Sequence, residues 1–183
     1  PCRSITTRRL HYTFKTNRYN MKDDGAWYFS TTYAADLVYY GKAYKKVLLY
    51  NNGYMCFADF VPPTGSFSSF EDHFDPARGP CFSYLMTDME SSKVERCSRV
   101  KMVPGGSWEA DSLTFTFHNA PLFGGAFATS KPTVTVQVRL VFGDNKIEVR
   151  YGKLADSLSA IIGPSKGAGV PTAFQPPALP LAA

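Results

Sequence analysis

The stretch that decides the fold is TVTVQVRLVFGDNKIEVRY, residues 133–151. Valine and leucine alternate with threonine, glutamine and arginine up to Gly143–Asn145, and the same alternation resumes at Ile147. Alternation with a period of two is the pattern of a half-buried β-strand, and Gly, Asp and Asn are turn residues. The stretch therefore predicts an antiparallel hairpin with one apolar face.

A second hairpin is predicted around Asn51-Asn52-Gly53. Apolar and aromatic residues flank this triplet at 46–50 and 54–57. Asn-Gly is the favoured pair of a type I′ turn because both central residues of that turn need a positive φ. We therefore expect two paired strands joined by a type I′ turn.

A third hairpin is predicted from residues 81–86 and 93–103, with a polar turn over 87–92. The first segment is apolar and the second mixes apolar with charged residues. If the turn is centred near Met89, Cys81 falls opposite residue 97 or 98, and a slip of one residue would destroy this pairing.

The composition extends the β prediction to the whole chain. Aromatic residues make up 15% of the chain, and 14 glycines and 13 prolines divide it into short segments without helical periodicity. We expect an all-β domain, an antiparallel β-sandwich of about ten strands. The domain is predicted over residues 1–163, followed by a Pro/Gly-rich C-terminal tail over 164–183 that serves as a linker or strap.

The four cysteines predict an oxidising environment. No pair has the spacing of a zinc site, and an even number of cysteines favours two disulfides in an extracellular or cell-surface protein. Four cysteines allow three pairings. The predicted third hairpin favours Cys81–Cys97, which would leave Cys2–Cys56.

The first residue, the apolar stretches and the net charge of the chain limit the kinds of protein and partner to be expected. The chain starts at Pro1 and contains no apolar stretch long enough to cross a bilayer. We expect a non-membrane-spanning part of a larger multidomain chain. The net charge of +5 favours anionic partners in general, but no dense basic block is present, and a nucleic-acid partner is not expected.

Catalysis is not expected from the residue patterns. His11, His73 and His118 stand in no recognisable catalytic motif. No spacing brings two carboxylates together across a cleft, as glycoside hydrolysis requires. We expect neither an enzyme nor a bound cofactor.

Calcium is the ion that the acidic residues could hold, because Ca²⁺ takes six to eight oxygen ligands from carboxylates and carbonyls. One acidic group lies in a long loop predicted over residues 61–80, and the other lies in the polar turn before the next strand. The candidate ligands are Glu71, Asp72, Asp75, Asp88 and Glu90.

Aromatic residues outside the clearest strands offer a platform for carbohydrate. A flat ring packs on the face of a sugar, and the polar edges of Tyr and Trp form hydrogen bonds. The candidate residues are Trp27, Tyr28, Tyr39, Tyr40 and Trp108.

Three stretches in this order, residues 40–57, 83–92 and 136–152, resemble the β-sandwich domains of nidogen-type and plexin-domain-containing extracellular proteins, and related modules of bacterial adhesins. The resemblance implies a role in adhesion or in a matrix. We therefore expect a non-catalytic extracellular assembly module whose partners are other extracellular or surface proteins. The alternative is a lectin-like glycan-binding domain, assisted by calcium.

Overall fold

The structure of the chain is a computed structural model. It describes residues 12–21, 24–30, 37–57, 73–74, 76–90, 92–102, 108–123, 132–142, 144–156 and 158–168.

The described residues form twelve strands and one short 3-10 turn. In chain order the elements are β1 (Tyr12–Met21), β2 (Ala26–Ser30), β3 (Leu37–Tyr39), β4 (Lys42–Tyr44), β5 (Lys46–Tyr50), β6 (Tyr54–Phe57), the turn at Pro76–Arg78, β7 (Cys81–Met86), β8 (Ser92–Met102), β9 (Trp108–Pro121), β10 (Thr133–Val141), β11 (Lys146–Tyr151) and β12 (Ile161–Ser165).

Ten of these strands make two five-stranded sheets. The first sheet has the order β1-β8-β9-β10-β11, and the second has the order β12-β7-β6-β5-β2. The strands β3 and β4 pair only with each other within the described residues. Every strand pair is antiparallel, so the predicted all-β, antiparallel class is confirmed.

The core lies between the two sheets. The ring centroids of Phe29 in the second sheet and Phe115 in the first are 4.6 Å apart. Those of Tyr84 and Phe117, also from the two sheets, are 5.8 Å apart. The predicted hairpin over 133–151 is confirmed as β10 and β11. The valine and leucine side chains of β10 are buried in the core, so this stretch contributes the strongest apolar face of the first sheet.

The predicted hairpin at Asn51-Asn52-Gly53 is confirmed, but the prediction of a type I′ turn is wrong. The loop has three residues between paired Tyr50 and Tyr54, and of the three only Gly53 has a positive φ. The backbone N–H groups of Tyr84 and Leu85 both donate to the carbonyl of Gly53, at 3.0 and 2.9 Å. A Cβ on Gly53 would lie 1.9 Å from the carbonyl oxygen of Leu85. Glycine is needed there for this close approach to β7.

The two asparagines of this turn are buried and tie down the segment after β7. The side-chain amide of Asn51 donates to the carbonyls of Met89 and Glu90. The side-chain oxygen of Asn52 accepts a hydrogen bond from the backbone N–H of Met89 at 3.0 Å. The turn therefore fixes the path by which the chain leaves the second sheet for the first.

The predicted hairpin between residues 81–86 and 93–103 is wrong. The first of these segments is β7 and pairs with β6 and β12, whereas β8 pairs with β1 and β9 in the other sheet. The chain crosses between the sheets at residues 87–91 and does not fold back. Apolar runs and a polar turn look alike in both cases, which is why the pattern misled the prediction.

The disulfide prediction fails for the same reason. In the register of β6 with β7, Cys56 stands directly opposite Cys81, and the two form a disulfide with a Cα–Cα distance of 4.0 Å. The favoured pairings Cys81–Cys97 and Cys2–Cys56 are therefore both wrong. Cys97 lies on β8 in the first sheet, and Cys2 lies outside the described residues.

The last strand continues past the predicted end of the domain. Strand β12 includes Pro164 and Ser165, which pair with Phe82 and Cys81 of β7. Most of the predicted tail, from residue 169 onward, lies outside the described residues, so the division at residue 163 stays a prediction.

The second sheet has a second buried cluster on its other face. Arg78 packs against this cluster: one of its guanidinium nitrogens donates to the Tyr54 hydroxyl at 2.8 Å. The rings of Tyr50 and Tyr54 stack with their centroids 4.3 Å apart. The apolar members of this cluster are Leu48, Tyr50, Tyr54, Cys56, Cys81 and Met86.

Candidate binding surfaces

The predicted aromatic platform does not form one surface. Trp27 and Tyr28 are neighbours on β2, so their side chains point to opposite faces of the second sheet. Trp27 stands opposite Leu49, which belongs to the inter-sheet core, and Tyr28 stands opposite Leu48 of the second cluster. The two residues are 37% and 39% exposed but cannot stack on the same sugar.

Tyr39 and Tyr40 lie together at the tip of the β3–β4 hairpin. Tyr39 pairs with Lys42, which leaves Tyr40 and Gly41 as a two-residue loop with φ values of 49° and 80°. Positive φ at both positions is the mark of a type I′ turn. The two tyrosine rings meet edge to face, with centroids 4.8 Å apart, and Tyr40 is 49% exposed.

The hairpin is anchored to both sheets. The hydroxyl of Tyr39 donates to the carbonyl of Cys81 at 2.9 Å in the second sheet, and its ring lies 4.3 Å from that of Phe57. On the other side, the backbone N–H of Val38 donates to the side-chain oxygen of Asn145 at 2.7 Å, in the turn between β10 and β11. These contacts hold strand β3 against both sheets while Tyr40 stays exposed.

The hydroxyl of Tyr39 remains protonated in this setting. Burial, and after it the neighbouring Tyr40, raise the pKa of Tyr39, and a hydrogen bond from the backbone of Ser165 lowers it in part. The protonated hydroxyl can therefore donate to Cys81 throughout the physiological range of pH.

A lysine missed by the sequence analysis completes this end of the molecule. The Lys166 ammonium nitrogen lies 5.3 Å from the centre of the Tyr40 ring. The Ser165 hydroxyl accepts a hydrogen bond from the backbone N–H of Gly167 at 3.0 Å, so the backbone on both sides of the lysine is tied. Gly167 packs so closely on the backbone of Gly79 that an added Cβ would lie 2.2 Å from its oxygen. Nothing in the proline-rich sequence around Lys166 signals this contact.

The remaining sequence-predicted residues are not brought to this place. Trp108 lies at the start of β9 opposite Met102, and its side chain is outside the described part of the structure. Asp88 and Glu90 lie in the crossover on either side of Met89 and are half-buried.

The calcium ligands stay a prediction. Glu71, Asp72 and Asp75 fall outside the described residues. Among the residues that the structure does describe, no group of three or more His, Cys, Asp or Glu side chains is placed to hold a metal ion.

Strand β11 presents a second candidate surface, at the edge of the first sheet. The N–H of Gly152 donates to the carbonyl of Thr135 at 2.9 Å, and the N–H of Thr135 donates to Lys153 at 2.7 Å. Hydrogen-bonded positions alternate along an antiparallel pair. Counting back by twos from Gly152, residues 150, 148 and 146 turn their backbone groups toward β10, and residues 151, 149 and 147 turn theirs outward.

A buried serine–histidine pair was also missed by the sequence analysis. The ring nitrogen Nδ1 of His73 lies 2.7 Å from the hydroxyl oxygen of Ser83, and both side chains are buried. Such a pair can act as nucleophile and base only where a substrate reaches it. We assign this hydrogen bond a structural role, because it joins residue 73 to β7. His118 is exposed on β9, and His11 lies outside the described residues.

With the geometry in place, comparison with known proteins identifies the family. A family model described as "NIDO related" matches residues 4–177 of the 183. The chain belongs to the NIDO-related family. No curated protein and no solved structure matches it.

Membership in the NIDO-related family confirms the resemblance to nidogen-type proteins, while the relation to bacterial adhesins stays a prediction. The family and the Cys56–Cys81 disulfide together fit a nidogen-like extracellular domain. No helix in the described part of this NIDO-related chain is long and apolar enough to cross a membrane.

Proposed function

We propose that this NIDO-related chain is a non-catalytic extracellular assembly module that binds other extracellular or surface proteins. The observation that carries the proposal is the edge of β11. Its backbone groups at Ile147 and Val149 point away from β10, and no described strand pairs with them. An edge of this kind can accept a strand from a partner protein, with main-chain hydrogen bonds supplying affinity.

The side chains of β11 define the strand that would fit. Ile147 and Val149 stand opposite Leu140 and Val138 on the core side of the sheet. The β10 residues are fully buried, whereas Ile147 and Val149 are only half-buried. Apolar side chains of an added strand would cover their remaining apolar surface, which favours association.

The opposite face of β11 carries charge. Glu148 accepts a hydrogen bond from Lys146 at 2.9 Å and pairs with Arg139 at 3.4 Å, and Arg150 adds a further positive charge on the same face. Three basic residues thus accompany one acidic residue. The complementary partner strand alternates apolar with acidic residues.

The edge strand β12 of the second sheet is less suited to strand addition. Strand β12 contains Pro164, which has no N–H to donate. Strand β11 contains no proline and has a full run of six residues. We therefore assign the contact to β11 rather than to β12.

The test is a peptide that alternates valine and glutamate over about six residues, the usual length of a strand. We expect it to bind the chain and to slow hydrogen exchange at the amides of Ile147 and Val149. The variant Val149→Pro removes one outward N–H without removing a bond to β10, and should weaken binding about tenfold or more.

The matched control is Val149→Thr, which keeps the N–H and the branched shape and should bind like the natural chain. The proposal fails if the peptide leaves exchange at Ile147 and Val149 unchanged, or if Val149→Pro binds as tightly as Val149→Thr. Both variants are first compared with the natural chain by thermal unfolding, so that a loss of fold is not mistaken for a loss of contact.

A further inference from the structure

At the tip of the β3–β4 hairpin, a tyrosine occupies a position whose backbone conformation favours other residue types. Tyr40 occupies the first loop position of a type I′ turn with a φ of 49°. Asparagine, aspartate and glycine are the residues preferred at this position, because a bulky side chain is strained in the left-handed region. Strained residues that persist on a surface often serve a function.

Contacts around the strained residue hold its ring in place. Tyr39 meets the ring edge to face at 4.8 Å, and the hydrogen bonds of Tyr39 to Cys81 and of Val38 to Asn145 fix the hairpin beneath it. A ring that is already fixed loses little conformational entropy when a ligand packs on it. The ring of Tyr40 is therefore preorganised, although it is 49% exposed.

The charge at the tip is positive. The ammonium group of Lys166 lies 5.3 Å from the centre of the Tyr40 ring, and that of Lys42, the residue after the turn, lies 5.1 Å from the ring of Tyr44. Both lysines are exposed. A ligand for this place needs a flat apolar face for the ring of Tyr40 and a negative charge for Lys166.

We propose that Tyr40 and Lys166 form a binding site for an acidic sugar unit, a pyranose ring that carries a carboxylate or a sulfate. The apolar face of the sugar would pack on the tyrosine ring, and its anionic group would pair with the lysine. A bare phosphate lacks the flat face, and an acidic peptide side chain carries its charge on a flexible chain without a ring. The site uses no group of the β11 edge and so goes beyond the proposed assembly function.

The experiment measures binding of heparin-derived and hyaluronan oligosaccharides by calorimetry at physiological ionic strength, about 0.15 M. The first probe carries sulfates and carboxylates, and the second carries carboxylates alone. We expect at least one to bind. Tyr40→Asn should weaken that binding about tenfold or more without lowering the melting temperature, since asparagine suits the turn.

Two further variants separate the roles of ring and charge. Lys166→Gln should weaken binding and reduce its dependence on salt, whereas Lys166→Arg should retain most of the affinity. The matched control is Tyr28→Asn, because Tyr28 is 39% exposed and lies 5.7 Å from the ammonium group of Lys46 but has no positive φ. This control should leave oligosaccharide binding unchanged.

Three outcomes overturn the proposal. The first is that neither oligosaccharide binds at this ionic strength. The second is that Tyr40→Asn binds within about twofold of the natural chain, in which case the charge of the surface alone attracts the probe. The third is that a glutamate-rich peptide binds in a Tyr40-dependent way and the oligosaccharides do not, which would make the tip a peptide site. None of these outcomes bears on the Val149→Pro test.

Discussion

The imidazole of His73 contacts the hydroxyl of Ser83 at 2.7 Å inside the fold, on the face of the second sheet that bears the disulfide. Burial lowers the pKa of His73, and a hydrogen bond to the backbone of Pro164 raises it in part. One side chain thus links three parts of the chain: the segment before Pro76, strand β7 and strand β12.

This link predicts that the protein loses stability in mild acid. In the unfolded chain His73 has its ordinary pKa of about 6.5, so the unfolded state takes up a proton before the folded state does as the pH falls. The contribution of His73 is therefore fully present above about pH 6.5 and is lost as the pH falls toward the lower folded pKa. Urea unfolding measured between about pH 5 and pH 8 checks the sign.

The variant His73→Phe isolates this contribution. It keeps a ring in the buried site but removes the hydrogen bonds to Ser83 and Pro164, so it should cost about 1–3 kcal/mol at neutral pH. Its deficit against the natural chain should shrink as the pH falls. A deficit that grows in acid would show that His73 is not the group responsible.

Alanine substitutions at Gly53 and Gly41 separate the cost of a steric overlap with the backbone from the cost of a positive φ alone. Both have a positive φ, but a Cβ on Gly53 would overlap the carbonyl of Leu85, whereas a Cβ on Gly41 would meet nothing within 4 Å. Gly41→Ala should cost about 1 kcal/mol for the left-handed backbone alone. Gly53→Ala should cost about 4 kcal/mol or more, or prevent folding. Equal urea midpoints for the two variants would contradict this reading of the turn.

The Cys56–Cys81 disulfide can be checked by peptide mapping and by the loss of stability when it is removed. A non-reducing digest should yield the peptide of Cys56 linked to that of Cys81, and a link between Cys81 and Cys97 would contradict the structure. The two cysteines are 25 residues apart. Closing a loop of that length raises the free energy of the unfolded chain by about 3.5 kcal/mol. The double variant with Cys56→Ala and Cys81→Ala should therefore have a free energy of unfolding that is lower by about that amount.

Tyr40 predicts a stabilising substitution. Replacing a strained tyrosine by asparagine at a type I′ position should raise the free energy of unfolding by up to about 1 kcal/mol, less the small loss of its contacts with Tyr39 and Lys166. The urea midpoint measures this directly. A clear loss of stability would mean that the ring supports the fold.

Much of the sheet pattern could be predicted from the sequence, because alternation and turn residues are local signals. The hairpins at Asn51–Gly53 and Gly143–Asn145 are both present. What local signals cannot give is which sheet a strand joins. Residues 81–86 and 93–103 read as a hairpin, yet a crossover of residues 87–91 separates them, and the disulfide prediction failed with that hairpin.

The candidate surfaces could be predicted only in part. Tyr40 was selected as an exposed aromatic residue, but its partner Lys166 lies 126 positions later in the sequence and meets it only because β12 pairs with β7. Adjacent aromatic residues on β2 looked like one platform, although a strand turns neighbours to opposite faces. The burial of His73 in a loop rich in polar residues carried no signal in the sequence.

The bond between Cys56 and Cys81 has a consequence for how this chain would respond to proteases. It encloses the residues from 57 to 80, a stretch rich in serine, proline and glycine. A single cut within that stretch would leave both fragments covalently joined. A nicked molecule would run as one band on a gel without reductant and as two with it.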